Sequence, residues 1–289
     1  MRVHVTGGSG FLGSYVVPRL LSEGHQVSVL CRSVHAATIV NRMGAQAVWG
    51  DLEDPASVDE AFQLSRAAVL VNLASLGFGH GPLVVAAAQE ADIGRALFVS
   101  TTAIFTNLPA ASRRPRLVAE SAIRDSALKW TLIRPTMIYG SPSDRNVARL
   151  LRFLRRSPIV PIPGDGRGLH QPVHVEDLAR AITIAIERPQ SVEKVYNVAG
   201  PEPLSLRRLV ELAAAAVDRN PCIVPVPILA AVAAVHLYES LSRKPGLRTE
   251  QLHRLAEDKD FDIAAARTDL DYEPRPFEEG VRQEAQLLT

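Results

Sequence analysis

Gly7, Gly10 and Gly13 are the residues whose spacing carries the most chemistry in this chain. They follow a short β-type run, Arg2–Thr6, and open a helical stretch, Phe11–Glu23. A glycine turn between strand and helix aims backbone N–H groups and the positive end of the helix dipole at one spot, which suits the pyrophosphate of a dinucleotide. Glycines also serve plain tight turns, so it is the strand before and the helix after that make this a predicted nicotinamide dinucleotide site. The second β-type run ends in Cys31-Arg32-Ser33. Sites for NAD keep a carboxylate at that position for the ribose 2′-hydroxyl, whereas a basic residue accommodates a 2′-phosphate. Arg32 offers a planar donor fork, so NADP is the expected cofactor and NAD the second choice.

The elements that must position these residues are legible as alternating runs. Strand patterns at Arg2–Thr6, Gln26–Cys31, Ala68–Asn72, Ala96–Ser100, Trp130–Arg134 and Val195–Ala199 interleave with helical stretches at Phe11–Glu23, Val58–Gln63, Gly81–Glu90 and Pro115–Ser126. This predicts an α/β fold, a doubly wound parallel sheet of Rossmann type. Pro18 removes a donor inside the first helix, where a kink is expected. After Arg134 the pattern changes, with Pro135, Pro142, Pro158, Pro161 and Pro163 surrounding a basic helical piece at Val147–Arg156. We therefore expect residues 1–135 plus 172–200 to form the dinucleotide-binding domain. Residues 136–171 plus 201–289 would form a smaller, discontinuous C-terminal substrate domain, read as helices joined by proline-rich turns. Within it, Ile228–Leu237 is apolar on every face, which predicts a helix lining the substrate pocket, forming a subunit contact, or buried in the domain.

Composition narrows the partners. Lys and Arg number 32 against 31 Asp and Glu, a net charge of +1, so no global field points to nucleic acid or an anionic membrane. A small-molecule substrate is expected, and a homodimer. Hydrophobic residues make up 47% of the chain, enough for a sizeable core. Cys31 and Cys222 are the only cysteines and show no zinc or disulfide spacing, so no metal is expected and a reducing compartment is. The first residues run straight into a strand without a signal peptide, and no apolar run approaches the ~20 residues of a membrane span. A cytoplasmic location is the resulting expectation.

The string Thr6-Gly7-Gly8-Ser9-Gly10-Phe11-Leu12-Gly13 resembles the fingerprint of extended short-chain dehydrogenases/reductases, the NAD-dependent epimerase/dehydratase family. Gly50-Asp51-Leu52, after a third strand, is similar to the family's adenine-contacting segment, and Asn72-Leu73-Ala74 to the segment lining the cofactor's inner half. Arg134-Pro135-Thr136-Met137-Ile138-Tyr139-Gly140, Val173 to Leu178 and Tyr196 to Pro201 continue the resemblance in the family's order. Gln171-Pro172-Val173 is similar to the atypical branch that includes the accessory subunit of respiratory complex I with this fold. The resemblance implies cofactor contacts from Thr6, Gly7, Gly10, Phe11, Leu12, Gly13, Arg32, Asp51, Leu52, Asn72, Leu73, Ala74, Ser100, Arg116 and Pro135.

At the catalytic positions the family pattern breaks. Redox members carry a Ser or Thr and then Tyr-x-x-x-Lys, in which the phenol exchanges a proton with the substrate and the lysine lowers its pKa. Thr101, in Ser100-Thr101-Thr102, matches the hydroxyl. No Tyr-x-x-x-Lys occurs in the chain, and alignment through Ala119-Glu120 puts Ser112 and Arg116 in those places. Arg116 can hold ribose hydroxyls but is a poor proton relay, and Ser112 is no acid near neutral pH. Thr101, Arg116 and Tyr139 are the candidate catalytic residues, Tyr139 and His170 because they border the family's cleft; packing at the domain junction is the ordinary alternative for Tyr139. Glu176 and Asp177 are expected to cap a helix. Arg149, Arg152, Arg155 and Arg156 form either a solvated face or a diphosphate contact, and Met137 stands where nucleotide-sugar enzymes carry asparagine. Two functions stay open: an NADP-dependent oxidoreductase or epimerase-like enzyme with a modified site, and a non-catalytic NADP(H)-binding module acting as structural subunit or redox sensor.

Overall fold

The computed structural model describes residues 1–108, 110–241, 255 and 257–288. In chain order its strands are β1 (Arg2–Thr6), β2 (Gln26–Cys31), β3 (Gln46–Trp49), β4 (Val69–Asn72), β5 (Arg95–Val99), β6 (Lys129–Pro135), β7 (Ile138–Tyr139), β8 (Ile159–Pro163), β9 (Leu169–His170), β10 (Val173–His174), β11 (Lys194–Val198), β12 (Leu204–Ser205) and β13 (Cys222–Val226). The helices are α1 (Gly13–Ser22), α2 (Val34–Arg42), α3 (Pro55–Ser65), α4 (Gly81–Glu90), α5 (Arg113–Arg124), α6 (Val147–Leu154), α7 (Val175–Glu187), α8 (Leu206–Ala215), α9 (Ile228–Leu241), α10 (Ala264–Leu270) and α11 (Phe277–Leu287).

Among the described residues, seven parallel strands form one sheet in the order β11-β6-β5-β4-β1-β2-β3. β4 reads Val-Leu-Val and is buried throughout because both faces of a central parallel strand are covered, and in β1 even His4 and Thr6, between and after its valines, are buried. One face packs on α1, α2, α7 and α10 through Val16, Leu20, Val40, Ile182 and Leu270, and the other on α3, α4 and α5 through Phe62, Val84, Val85 and Ile123. This is the doubly wound architecture that the alternating runs predict. The strand order reverses at β1 and β4, and the crevice at their C-terminal ends is where such sheets take ligands. Pro18 lies on the exposed side of α1, whose helical run is unbroken, so water can serve the carbonyl it leaves unpaired.

A third apolar cluster gathers Tyr139, Leu151, Leu154, Ile162, Leu209, Phe277 and Val281 from α6, β8, α8 and α11. It joins stretches far apart in sequence. Ile263, Ala266, Leu270 and Tyr272, from the C-terminal stretch, pack in the first cluster, and the Tyr272 hydroxyl donates to the Ala199 carbonyl at 2.7 Å. An Ala- and Leu-spaced face fits either core, so composition alone did not assign it. The helix expected over Ile228–Leu237 is present as the start of α9, but Ile228, Leu229, Ala230, Ala233 and Ala234 are exposed and only Val235 among its first eight residues is buried. Burial inside the domain is thereby excluded for those residues; part of the expected C-terminal helical stretch lies outside the described residues. Among the described residues no helix is long and apolar enough to cross a membrane.

Candidate functional site

The glycine turn sits directly on the end of β1. Gly7 has φ +70°, and a β-carbon there would lie 2.7 Å from the backbone nitrogen of Ala74, so the turn and the end of β4 touch backbone to backbone. A β-carbon at Gly13 would lie 2.2 Å from the Gly8 carbonyl oxygen; only a hydrogen fits where α1 leaves the turn. α1 has no side-chain cap at Leu12 and no acidic residue in its first turn, so its positive end is left for an anion. The Thr6 hydroxyl donates to Asn72 Oδ1 at 2.6 Å and Asn72 Nδ2 donates to the Ala74 carbonyl at 3.0 Å, which pins the two strand ends together. A dinucleotide pyrophosphate fits this cradle: a backbone floor, an uncapped helix and a water-poor wall.

Beyond β2 a second loop comes alongside. The Gly50 N–H donates to the Cys31 carbonyl at 3.2 Å, which sets Asp51 and Leu52 beside Cys31-Arg32. Arg32 is exposed, and the Ser33 hydroxyl beside it caps α2 by accepting from the Ala36 N–H at 3.2 Å. Asp51 Oδ1 accepts the Glu53 N–H at 3.2 Å, and no carboxylate ends β2.

Around the Ser100-Thr101-Thr102 segment the side chains satisfy one another. Ser100 is buried, and its hydroxyl donates to Glu120 Oε1 at 2.6 Å. Arg134, at the end of β6, grips the same carboxylate through Nε at 3.0 Å and through Nη2, and its guanidinium lies 5.1 Å from the Phe105 ring centroid. Burial alone would raise the Glu120 pKa; the hydrogen bonds from Arg134 and Ser100 and the Arg134 charge outweigh it and hold the carboxyl below its ordinary value. The Thr101 oxygen accepts the Ala103 N–H at 3.2 Å, capping a short turn over Thr102–Phe105, and Thr102 donates to the carbonyl of Pro135 at 3.3 Å. Arg116 Nη1 donates to the Ser112 hydroxyl at 2.6 Å, and a β-carbon on Gly77 would lie 3.1 Å from the guanidinium carbon. Arg116 therefore stands over the turn that follows Asn72-Leu73-Ala74.

Tyr139 is placed elsewhere. Its side chain is fully buried between His174 and Phe277, with ring centroids 5.2 and 5.0 Å away, and its hydroxyl has no hydrogen-bond partner among the described residues. Burial, with a smaller contribution from the Asp177 charge, pushes its pKa far above the phenol range. His170 and His174 are buried and held at pKa values of about 4, in both cases chiefly by desolvation. The cap of α7 is His174, which accepts the Glu176 N–H at 3.3 Å; Glu176 and Asp177 fall in the first turn, and Asp177 holds Arg275 from three atoms. The expectation that Glu176 and Asp177 cap the helix is corrected accordingly, because the chain enters it from extended backbone at His174. Arg155, in the basic helical piece, donates to the Leu288 and Ala285 carbonyls at 2.7 and 2.9 Å and so fastens α11. Sequence reasoning missed Glu120 and Arg134 as a pair and the strap formed by residues 257–261. In that strap Glu257 accepts from Thr106 Oγ1 at 2.8 Å and the Asn107 N–H at 3.0 Å, and the Phe261 N–H donates to Gln171 at 2.9 Å.

Comparison with known proteins agrees with this geometry. A family model described as NAD(P)H-binding matches residues 7–189. The chain is 28% identical to the 4-hydroxy-2-methyl-3-oxo-4-farnesyl-3,4-dihydroquinoline-1-oxide ketoreductase of Stigmatella aurantiaca, over 95% of this chain and 92% of that protein. It is also 28% identical to the mitochondrial NADH dehydrogenase [ubiquinone] 1 alpha subcomplex subunit 9 of Arabidopsis thaliana, over 80% of this chain and 62% of the relative. The structure superposes on the UDP-glucose 4-epimerase of Thermus thermophilus in complex with NAD at a TM-score of 0.75 with 22% identity, covering 100% of this chain and 99% of that one. That last likeness concerns the fold.

Proposed function

The chain belongs to the NAD(P)H-binding family, with relatives among the reductases and epimerase-type structures, and from that premise we propose that it is an NADP(H)-dependent carbonyl reductase working without a tyrosine acid. The observation that carries this reading is the intact cradle of Gly7 to Gly13 facing a β2 end that offers Arg32 and no carboxylate. The bound cofactor would supply a hydride. The Thr101 oxygen already accepts a backbone bond, which leaves its O–H to donate to a substrate oxygen. Arg116, held against Ser112, would place a fixed positive charge near the oxygen that gains negative charge. The proton then comes from water, since neither Ser112 nor Arg116 releases one near neutral pH.

A second reading rests on a specific observation: the Ser100 hydroxyl, Glu120 and Arg134 are spent on each other, as in a site retained for shape. It is that of a non-catalytic NADP(H)-binding module serving as structural subunit or redox sensor, and the likeness to a complex I subunit supports it. Exposed Leu117 and Val118 on α5 support a homodimer in either case. The experiment is to incubate purified protein with NADPH and a panel of alkyl and isoprenyl ketones, sugars and aldehydes, and to follow loss of nicotinamide absorbance. Turnover that falls about a hundredfold in Arg116→Ala supports the enzyme. Silence across the panel, with NADPH binding retained, overturns it in favour of the module.

A further inference from the structure

Five large apolar side chains left in solvent, Phe153, Ile159, Val224, Ile228 and Leu229, lie on α6, β8, β13 and α9. β8 and β13 form a two-stranded parallel ribbon in which Cys222 stands opposite Ile159 and Val224 opposite Pro161. Pleating sends Val160 and Ile162 into the core and leaves Ile159, Pro161, Cys222 and Val224 on the outer face, with Ile159 54% exposed. A half-buried strand ordinarily carries polar residues outward, and at these four positions the ribbon carries none. Exposed apolar residues flank the ribbon along the chain. Upstream, α6 feeds into β8 and exposes Phe153; downstream, α9 starts at Ile228, within 3.6 Å of the position of a β-carbon on Gly164, and presents Leu229 at 85% exposure.

Cations border the same side chains. Arg156 is exposed just past the end of α6, and Arg219, also exposed, donates to the Arg155 carbonyl at 3.3 Å there; Arg152, on α6, is turned to the Pro142 carbonyl instead. Asp218 offsets part of this charge, and Asp165 is paired with Arg167. A patch of contiguous exposed apolar residues marks an interaction surface, and the arginines choose the partner. Two copies meeting through this face would bring the same arginine cluster against itself. A bilayer surface with anionic headgroups presents the opposite charge, and apolar side chains too few to span it can still enter the headgroup and acyl boundary. The net charge of +1 does not oppose this, because at physiological salt charges act over only about 8 Å.

We propose that the face formed by Phe153, Ile159, Val224 and Leu229, bordered by Arg156 and Arg219, docks the protein on an anionic lipid surface. The proposal does not rest on the carbonyl reductase reading. Full-length protein is sedimented with vesicles of phosphatidylcholine alone and of phosphatidylcholine mixed with phosphatidylglycerol. The mixed vesicles should bind at least about tenfold more protein, and a rise in salt should erode the difference. Leu229→Asp and, separately, Arg156→Glu with Arg219→Glu should each lower partitioning about tenfold or more while NADPH affinity holds. Should Leu229→Asp destabilise the fold, the arginine pair decides. Equal, weak partitioning onto both vesicles overturns the proposal. So does a Leu229→Asp protein that loses self-association in sedimentation velocity while its vesicle binding is unchanged, because the face is then a contact between copies.

Discussion

At one end of the cleft the recognition chemistry is backbone; at the other it is side chain. The cradle is made of N–H groups, carbonyls and missing β-carbons at Gly7 and Gly13, so it tolerates almost no change of residue and leaves little room for drift. The opposite wall is two sets of side chains, Ser100 with Glu120 and Arg134, and Ser112 with Arg116, whose chemistry can change by substitution without rebuilding the backbone, at a cost in stability where a buried pair is broken. The difference teaches why a chain can keep a cofactor while losing the usual proton donor. Binding depends on a geometry that one substitution destroys, whereas the proton relay of the resembled pattern is two side chains, and this chain forms the same fold with Ser112 and Arg116 in their places.

The sharpest way to break the comparison is Gly10→Val. A β-carbon at Gly10 would meet only the Gly7 carbonyl oxygen, at 3.2 Å, so the variant should fold. Its branched side chain would stand where the pyrophosphate must approach the backbone, and affinity for nicotinamide dinucleotides should fall about a hundredfold or more in a calorimetric titration. Unchanged affinity would put the cofactor elsewhere and dissolve the contrast.

On the side-chain wall the largest effect should be on stability. Glu120→Ala leaves the guanidinium of Arg134, whose side chain is 12% exposed, without its carboxylate, and such orphaned charges cost about 3–5 kcal/mol. Denaturant unfolding should show that loss, while NADPH affinity of the folded fraction changes little. A loss below about 1 kcal/mol would mean that the wall is solvated and that Ser100 is available for chemistry.

These two regions were unequally legible in the sequence. The glycine spacing is local, and the valine-rich runs of β1, β2 and β4 announce buried parallel strands, so six of the seven strands could be read within a residue or two; the bounds of β3 and the whole of α2 could not, because both are short and half exposed. Glu120 and Arg134 lie fourteen residues apart on a helix and a strand and meet only when α5 packs on β6. No spacing rule joins them. α9 failed for the opposite reason: a helix apolar on every face implies cover, and among the described residues the fold provides it only at Val235. NADP as the cofactor, Arg32 as its reader and the positions of Thr101 and Arg116 remain readings that the arrangement supports and that titration must decide.

Three buried histidines give a pH test spread over both regions. His4, His170 and His174 have folded pKa values of about 4 against about 6.5 in the unfolded chain, chiefly through desolvation. Because the folded value is the lower one, the unfolded chain binds more protons between the two. These groups therefore leave stability unchanged above about pH 6.5 and lower it as pH falls toward 4. At pH 5 the loss is about 2 kcal/mol per histidine, measurable as a falling denaturation midpoint. A midpoint that is flat from neutral pH to about 4.5 would show that these rings reach solvent.

A smaller effect tests the rim. Arg32→Ala should lower NADP affinity about tenfold, equivalent to about 1.4 kcal/mol, and leave NAD nearly untouched, since a single guanidinium–phosphate contact is lost. Added salt should shrink the difference, because Arg32 is exposed. Equal losses for both cofactors would show the guanidinium stacking on the adenine instead of reading the 2′-phosphate.

The smallest effect separates a packed tyrosine from a catalytic one. Tyr139 borders the cleft in sequence, yet its hydroxyl is buried without a hydrogen-bond partner among the described residues and faces Gly280, where a β-carbon would come within 2.2 Å of it. A buried hydroxyl that makes no bond carries a desolvation cost that its removal relieves, against a small cavity. Tyr139→Phe should therefore change stability by no more than about 1 kcal/mol, in the stabilising direction, shifting the thermal midpoint by about 2–4 °C. NADPH oxidation, if the panel reveals it, should be untouched. Should the same substitution remove turnover while leaving NADPH affinity and the midpoint in place, the phenol must reach the substrate in some opened form of the cleft, and the missing acid would be found.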